Sequence, residues 1–210
     1  LEMNSELVRY KRLLIIDLPL GQSMFLWGAR KTGKSTFLKR RYPNSVYYDF
    51  LKTDVYLRYV KEPHLFREEI LELTLEQLQY PIIVDEIQKC PHLLDEIHWL
   101  IENTQAYFIL CGSSARKLKR GAYNLLGGRA WRFEFYPLVY PEIPNFDLLH
   151  ALNNGLIPSH YIAKDAKRSL RAYIRDYLQE EIKAETLVRN LAAFALFVDV
   201  IAFNNTELTN

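Results

Sequence analysis

The sequence has few of the residues that define several common classes of protein. It contains two cysteines in 210 residues, Cys90 and Cys111, and their spacing is not that of a zinc site. Two thiols in a chain of this size suit a reducing cytosol and exclude a disulfide scaffold. The five histidines form no ligand spacing, and no His-Glu-x-x-His motif occurs. The sequence therefore gives no support for a transition-metal site.

An excess of one charge and long hydrophobic runs are also lacking. The net charge is +2, which gives no argument for binding to nucleic acid or to a membrane. The first apolar cluster, Leu13 to Leu18, is too short for a signal peptide and contains Asp17. The apolar run Leu191 to Phe203 is shorter than the roughly 20 residues that a bilayer requires. With 49% hydrophobic and 25% charged residues, the composition predicts a soluble globular protein. Together with the cysteine usage and the lack of a signal peptide, it predicts a cytoplasmic location.

The strongest motif is a phosphate-loop pattern, G-x-x-x-x-G-K-[ST], which is fitted by Gly28-Ala29-Arg30-Lys31-Thr32-Gly33-Lys34-Ser35. An apolar run precedes it, and no helix breaker follows before Arg41, so the required strand, loop and helix are predicted. The backbone N–H groups of such a loop form an anion nest, and the helix N-terminus adds positive potential. We predict that residues Gly28 to Thr36 bind nucleotide phosphates, with Lys34 on the outer phosphates and Ser35 on magnesium. The alternative is a chance match in an ordinary loop.

A second motif, Ile82-Ile83-Val84-Asp85-Glu86, is an apolar run that ends in two acids. We predict that Asp85 holds magnesium, as the strand-borne acid does in P-loop NTPases, and that Glu86 polarises the attacking water. The alternative is a helix N-cap at Asp85 with Glu86 in solvent. One candidate strand separates the two motifs, which favours the NTPase class with an inserted strand. GTPases are disfavoured because no Asn-Lys-x-Asp segment occurs.

Two serines and two arginines are further candidates. Ser113 and Ser114 follow a strand expected between the first and third, so their hydroxyls would approach the terminal phosphate; the alternative is a turn or N-cap. Arg116 and Arg129 are candidates for stabilising charge on the transferring phosphoryl group, in cis or across a subunit contact, against the alternative of solvated arginines. The predicted catalytic residues are Lys34, Glu86, Ser114, Arg116 and Arg129.

A basic cluster follows the two serines, at Arg116, Lys117, Lys119 and Arg120. Such a cluster is able to contact the backbone of a nucleic acid. A run of this kind is more often a solvated helix face, and we favour that interpretation. Nucleic acid is therefore a weakly supported partner.

The alternation of strands and helices predicts an α/β fold, a three-layer P-loop NTPase sandwich with a mostly parallel sheet of about five strands. The predicted strands are Met24–Trp27, Ser45–Tyr48, Pro81–Val84, Ala106–Cys111 and Trp131–Phe135. The helices predicted between the second and fifth strands are Asp54–Val60, Pro63–Gln79, Leu93–Glu102 and Ala115–Gly121.

The composition changes near Pro137, where prolines become frequent and predicted strands end. We predict an NTPase core over residues 1–137 and a small all-helical region over 138–210. Lys164–Ala184 is predicted as an amphipathic helix. Leu187–Phe203 is apolar on nearly every side, and a helix of that kind must be buried on every side. We therefore expect a further domain or another subunit, as in a homo-oligomer, to cover it.

The sequence blocks together resemble a family of prokaryotic predicted AAA+ ATPases. They are Phe25–Gly28 with Thr32–Ser35, Val84–Lys89, Gly112–Leu118, Leu126–Ala130, Tyr136–Leu138, Tyr177–Ile182 and Val188–Asn190. The resemblance implies ATP binding by an AAA+-type core, a cytoplasmic setting, and a C-terminal domain of unknown function that this chain would only begin. The chain offers no clear lid arginine, although Arg168, Arg171 and Arg175 are available.

The leading functional prediction is a magnesium-dependent ATPase that uses hydrolysis to switch or drive an attached C-terminal module, with ATP and Mg²⁺ as cofactors. One alternative is a nucleotide-gated module that binds DNA or protein with little hydrolysis. A less favoured alternative is a P-loop phosphotransferase, since kinases share the phosphate loop. Activation of water by Glu86 is the feature that favours hydrolysis.

Overall fold

The computed structural model describes residues 10–113, 118, 126–177 and 190–204. Five strands form one sheet in the order β2-β3-β4-β1-β5, and all four pairings are parallel. The strands are β1 Ser23–Trp27, β2 Tyr47–Asp49, β3 Ile82–Asp85, β4 Phe108–Gly112 and β5 Ala130–Glu134. The predicted α/β fold with a parallel sheet is confirmed, and so is the position of β4 between β1 and β3.

The helices connect the strands and continue after the sheet. They are α1 Lys34–Arg41, α2 Thr53–Lys61, α3 His64–Leu71, α4 Leu93–Asn103, α5 Leu148–Asn154, α6 Pro158–Tyr161, α7 Ala166–Tyr177 and α8 Leu191–Phe203. Short 3₁₀ turns lie at Gln77–Gln79, Ile87–Lys89, Leu126–Gly128 and Tyr140–Glu142. The predicted helix Ala115–Gly121 lies outside the described residues, apart from Leu118.

The prediction of one helix over Pro63–Gln79 is wrong, because α3 ends at Leu71. The side chains of Thr74 and Gln77 explain the break. The Gln77 side-chain carbonyl accepts hydrogen bonds from the Thr74 N–H and hydroxyl, and the Thr74 hydroxyl accepts one from the Gln77 N–H. This reciprocal pairing stabilises a separate turn from Thr74 to Gln77 that leads into the 3₁₀ turn, since a threonine hydroxyl competes with the helical backbone for its donors.

The central strands are buried because helices cover both faces of the sheet. Successive side chains of β1 point to opposite faces. Met24 and Leu26 therefore pack into one core with Leu38 of α1, whereas Phe25 and Trp27 pack into the other core. The two cores give the three-layer arrangement, and they place the rigid carboxyl ends of β1, β3 and β4 side by side.

The chain divides into two compact units. The first comprises the residues up to Leu148 together with Leu156–Ser159, and the second comprises Leu149–Gly155 and the residues from His160 onward. The first unit extends past Pro137, and the predicted domain boundary there stays a prediction. In the second unit, α8 exposes large apolar side chains, of which Phe203 is 91% exposed. Within the described part of the chain, no helix has the length and apolarity needed to cross a membrane.

Candidate functional site

The carboxyl edge of the sheet brings the two predicted motifs together. Trp27 of β1 lies level with Gly112 of β4, and Cys111 of β4 lies level with Asp85 of β3. The same edge of the sheet therefore carries the phosphate loop after β1, Glu86 after β3 and Ser113 after β4. Strand β4 lies between β1 and β3. Neighbouring strands lie about 4.8 Å apart, so roughly 10 Å separate β1 from β3.

The phosphate loop wraps around the ammonium group of Lys34. The Lys34 Nζ donates hydrogen bonds to the carbonyl oxygens of Gly28 at 2.7 Å and Ala29 at 2.9 Å. The Thr32 hydroxyl also donates to the Ala29 carbonyl, at 2.8 Å. Left-handed backbone at Lys31, with φ of 63°, and at Gly33, with φ of 95°, closes the loop before α1. The loop therefore holds a buried cation at the N-terminus of a helix, where an anion is favoured.

Gly28 is required by the close approach of the chain that follows β5. A Cβ atom at Gly28 would lie 2.1 Å from the backbone oxygen of Phe135. The Phe135 N–H donates to the Trp27 carbonyl at 2.6 Å, which fixes this approach. The glycine at the start of the motif thus lets two backbones touch where the loop leaves the sheet.

Tyr47 joins the two residues that were predicted to hold magnesium. Its hydroxyl donates to Asp85 Oδ2 at 2.6 Å, and the Ser35 side chain donates a hydrogen bond to Tyr47. Burial is the main cause that raises the pKa of Tyr47, and the charge of Asp85 and the hydrogen bond to Asp85 raise this pKa further. The hydrogen bond from Ser35 lowers the pKa of Tyr47. Asp85 is 2% exposed and also accepts the Glu86 N–H at 3.1 Å through Oδ1. Ser35 and Asp85 therefore share one hydroxyl partner at the sheet edge.

Glu86 has a left-handed backbone, with φ of 60° and ψ of 40°, directly after β3. A non-glycine residue in this region costs about 1–2 kcal/mol, and such strain clusters at functional sites. Its carboxylate accepts a hydrogen bond from the Gln88 amide, which also donates to the Ser113 hydroxyl at 3.3 Å. Burial and then the Asp85 charge raise the pKa of Glu86, while Gln88, Lys34 and Arg30 lower it. Gln88 thus links the predicted base to the serine that follows the neighbouring strand β4.

Tyr47 and Gln88 were not predicted from the sequence. Tyr47 reaches Asp85 because β2 pairs with β3, a neighbour relationship that no local pattern reveals. Gln88 carried a weak signal, since it lies two residues after Glu86 in the same block. Its Oε1 atom is buried without a hydrogen-bond partner beside Gly112, where a Cβ atom would approach it to 2.2 Å.

The structure does not bring Arg129 to this site. Arg129 directly precedes β5, and Ala130 of that strand lies level with Ser23 at the amino end of β1. Its backbone carbonyl accepts a hydrogen bond of 2.8 Å from the Gln22 amide, and its guanidinium pairs with Glu102. Arg129 is therefore at the opposite edge of the sheet. The described geometry does not support a role in cis, and both predicted roles of Arg129, in cis or across a subunit contact, stay predictions.

Ser114 and Arg116 lie outside the described residues, as does the basic cluster at Arg116, Lys117, Lys119 and Arg120. Their predicted roles stay predictions. Among the residues that the structure does describe, no group of three or more His, Cys, Asp or Glu side chains is arranged to hold a metal ion.

Residues 21–144 match the model of a family described as an AAA domain. The matched range covers more than half of the chain and contains the phosphate loop, the acid pair and Ser113. A search of curated proteins found no match.

Proposed function

The chain belongs to the AAA domain family, and from that premise we propose that it is a magnesium-dependent ATPase. The family membership indicates nucleotide binding of the ATPase kind. Hydrolysis, the metal and the roles of individual residues are our proposal. The observation that carries it is the connection from Ser35 through the Tyr47 hydroxyl to Asp85, next to Glu86.

Lys34 and the loop backbone provide the phosphate-binding half of the proposed site. An ammonium group has three donors, more than the two carbonyls of Gly28 and Ala29 use. The first turn of α1 contains no acidic residue, so nothing there offsets the positive potential of the helix N-terminus. We assign Lys34 to the outer phosphates and the loop N–H groups, from Gly28 to Thr36, to the remaining phosphate oxygens.

Ser35 and Asp85 fit a magnesium ion that is bound together with a nucleotide. Such an ion takes one or two protein oxygens and completes its octahedron with phosphates and water. The Asp85 carboxylate and the Ser35 hydroxyl are both hard oxygen donors, and both already contact Tyr47. When bound, the ion would neutralise charge on the outer phosphates.

Glu86 is our candidate for the residue that activates water. It lies one residue beyond Asp85, so its carboxylate is displaced toward the terminal phosphate. A raised pKa makes the charged form of this carboxylate a stronger base. The hydrogen bond from Gln88 fixes the orientation of the carboxylate. Ser113, which contacts the same amide, lies where it would approach the terminal phosphate.

The exposed apolar side chains of α8 support a second part of the proposal. A helix that exposes Leu196, Phe197 and Phe203 is stable in water only when another surface covers it. We propose that a further domain or a second subunit provides this cover and is the module that ATP turnover switches or drives. A cytoplasmic location is part of the same proposal.

Phosphate release from Mg-ATP by the chain tests the proposed function. We expect turnover in the unchanged chain, and we expect Glu86→Gln to bind ATP normally but to lose at least a hundredfold in turnover, since a general base contributes about 10²–10⁴-fold. Calorimetry should show that Lys34→Ala loses ATP binding. Glu72→Gln, an identical change on an exposed glutamate after α3, is the matched control and should leave both measurements unchanged.

The outcomes separate the competing functions. ATP binding without release of phosphate, even in the unchanged chain, would favour the nucleotide-gated module. Label that passes from ATP to an acceptor in place of free phosphate would favour the phosphotransferase. Normal turnover by Glu86→Gln would contradict our assignment of the base.

A further inference from the structure

A half-buried arginine lies against the phosphate loop, outside the matched family range. Arg12 donates from one terminal nitrogen to the Thr32 carbonyl of the loop at 2.8 Å. Its other terminal nitrogen donates to the carbonyls of Tyr136 at 2.6 Å and Pro137 at 3.1 Å. The guanidinium also stacks 4.1 Å from the centre of the Phe135 ring. One side chain thus joins the loop to the segment that follows β5.

Glu142 holds Arg12 in this position. Its Oε2 accepts from the Arg12 Nε at 2.9 Å and from the Val139 N–H at 3.2 Å, and its Oε1 accepts from the Leu13 N–H at 2.6 Å. The side chains of Arg12 and Glu142 are only 11% and 4% exposed. A charge pair that is this buried has a single favourable geometry, because movement of either partner leaves the other without compensation.

The contact with Thr32 reaches the part of the loop that determines its shape. Thr32 lies between the two left-handed residues Lys31 and Gly33. The Arg12 guanidinium also lies close to Gly33, since its Nη1 atom would be 3.9 Å from a Cβ atom at that position. It therefore adds a positive charge beside the loop.

We infer that Arg12, held by Glu142, is a positioning residue that keeps the phosphate loop in its nucleotide-binding shape before the nucleotide arrives. This inference rests on the proposed function, since the shape concerned is that of the ATP site. A loop that is ordered in advance does not lose conformational entropy on binding, so its affinity for phosphate is higher. The pair also ties the loop to the turn at Tyr140–Glu142. A displacement of that turn is therefore transmitted to Thr32.

Hydrogen–deuterium exchange of the nucleotide-free chain tests this inference without requiring ATP. We expect Arg12→Ala to raise amide exchange in peptides that cover residues 28–36 by about tenfold, the ratio that corresponds to one lost charge-assisted hydrogen bond. Arg12→Lys retains the charge but lacks the fork of donors, so a smaller increase is expected and the fold is preserved. Arg67→Ala breaks another partly buried pair, with Glu96 at 2.7 Å, and should leave exchange at 28–36 unchanged.

Affinity for a non-hydrolysable ATP analogue is the second readout. We expect it to fall about tenfold or more in Arg12→Ala, less in Arg12→Lys, and not in Arg67→Ala. Unchanged exchange at residues 28–36 in both Arg12 variants would overturn the inference, as would wild-type affinity in both. If the unchanged chain binds no ATP, the proposed function fails, and the exchange measurement still decides the role of Arg12.

Discussion

The hydroxyl of Tyr47 donates a 2.6 Å hydrogen bond to Oδ2 of Asp85. Asp85 is a buried carboxylate that also accepts the Glu86 N–H at its other oxygen and interacts with the Cys111 thiol through a side-chain hydrogen bond. A buried charged acceptor that loses a donor retains the full cost of its desolvation. In the nucleotide-free protein, Tyr47 therefore stabilises the Asp85 carboxylate, which we propose as a magnesium ligand.

Replacement of Tyr47 by phenylalanine should destabilise the nucleotide-free chain. We expect the free energy of unfolding to fall by about 1.5–3 kcal/mol, the range for a hydrogen bond to a charged group. Magnesium bound with ATP would give Asp85 a new partner, so the loss should shrink when Mg-ATP is present. Thermal unfolding with and without Mg-ATP measures both effects.

Tyr107→Phe is the matched control for this change. Tyr107 is also largely buried, but its hydroxyl donates to a neutral acceptor, the Gln79 carbonyl, at 2.8 Å. The expected loss is about 1 kcal/mol and should be the same with and without Mg-ATP. A loss in Tyr47→Phe that Mg-ATP leaves unchanged would argue against the magnesium role of Asp85.

The acid limb of the pH–rate profile should depend on Gln88. Glu86 must be charged to act as a base, so turnover is present above its pKa and is lost as the pH falls through it. Burial and Asp85 raise that pKa, while the hydrogen bond from Gln88 lowers it. Removal of the amide in Gln88→Met should raise the pKa of Glu86 further and shift the acid limb of phosphate release to higher pH.

Gln77→Met makes the same chemical change at an exposed turn that is remote from Glu86, and its profile should match that of the unchanged chain. The Gln88 variant keeps approximately the side-chain volume, so the shift does not arise from a cavity. An acid limb that stays in place in Gln88→Met would show that Glu86 is not the titrating base.

Arg129→Ala should retain turnover within about twofold. The side chain lies at the amino edge of the sheet, and its partly exposed pair with Glu102 is worth at most about 1 kcal/mol. A tenfold loss of phosphate release would instead favour a role across a subunit contact. Mixing Arg129→Ala with Lys34→Ala would then restore activity, because each variant would supply what the other lacks.

The central strands of the sheet could be predicted because burial on both faces requires them to be apolar along their whole length. Residues 23–27, 82–85 and 108–112 are almost wholly apolar, and helices cover both of their faces, so short apolar runs identified them to within two residues. β2 begins two residues later than predicted, since an edge strand is half-buried and its pattern is weaker. The break after α3 depends on a side-chain cap at Thr74, which hydrophobic spacing does not report.

The site could be predicted only where its residues form a local sequence motif. The phosphate loop and the acid pair are local patterns, and strand order then placed them at one edge. Tyr47, Gln88 and Arg12 act through contacts between distant segments, such as Arg12 with Glu142. These contacts depend on which strands are neighbours and on side-chain conformation, and neither leaves a periodic signal. The position of Arg129 at the amino edge of the sheet could not be predicted for a related reason, because a glycine-flanked loop is found at either end of a strand.

Gly28→Ala should damage both stability and nucleotide binding. The added Cβ atom would lie 2.1 Å from the Phe135 backbone oxygen and 3.2 Å from its Cβ atom, so the backbone after β5 has to move. Overpacking against groups that cannot rotate away typically costs about 1–3 kcal/mol. The same movement displaces the Phe135 ring on which Arg12 stacks, so affinity for ATP should fall as well. Urea unfolding and calorimetry measure the two losses.

Ala29→Ser, at the next and exposed position, is the control and should change the free energy of unfolding by less than about 0.5 kcal/mol. Wild-type stability of Gly28→Ala would contradict the close approach of the two backbones.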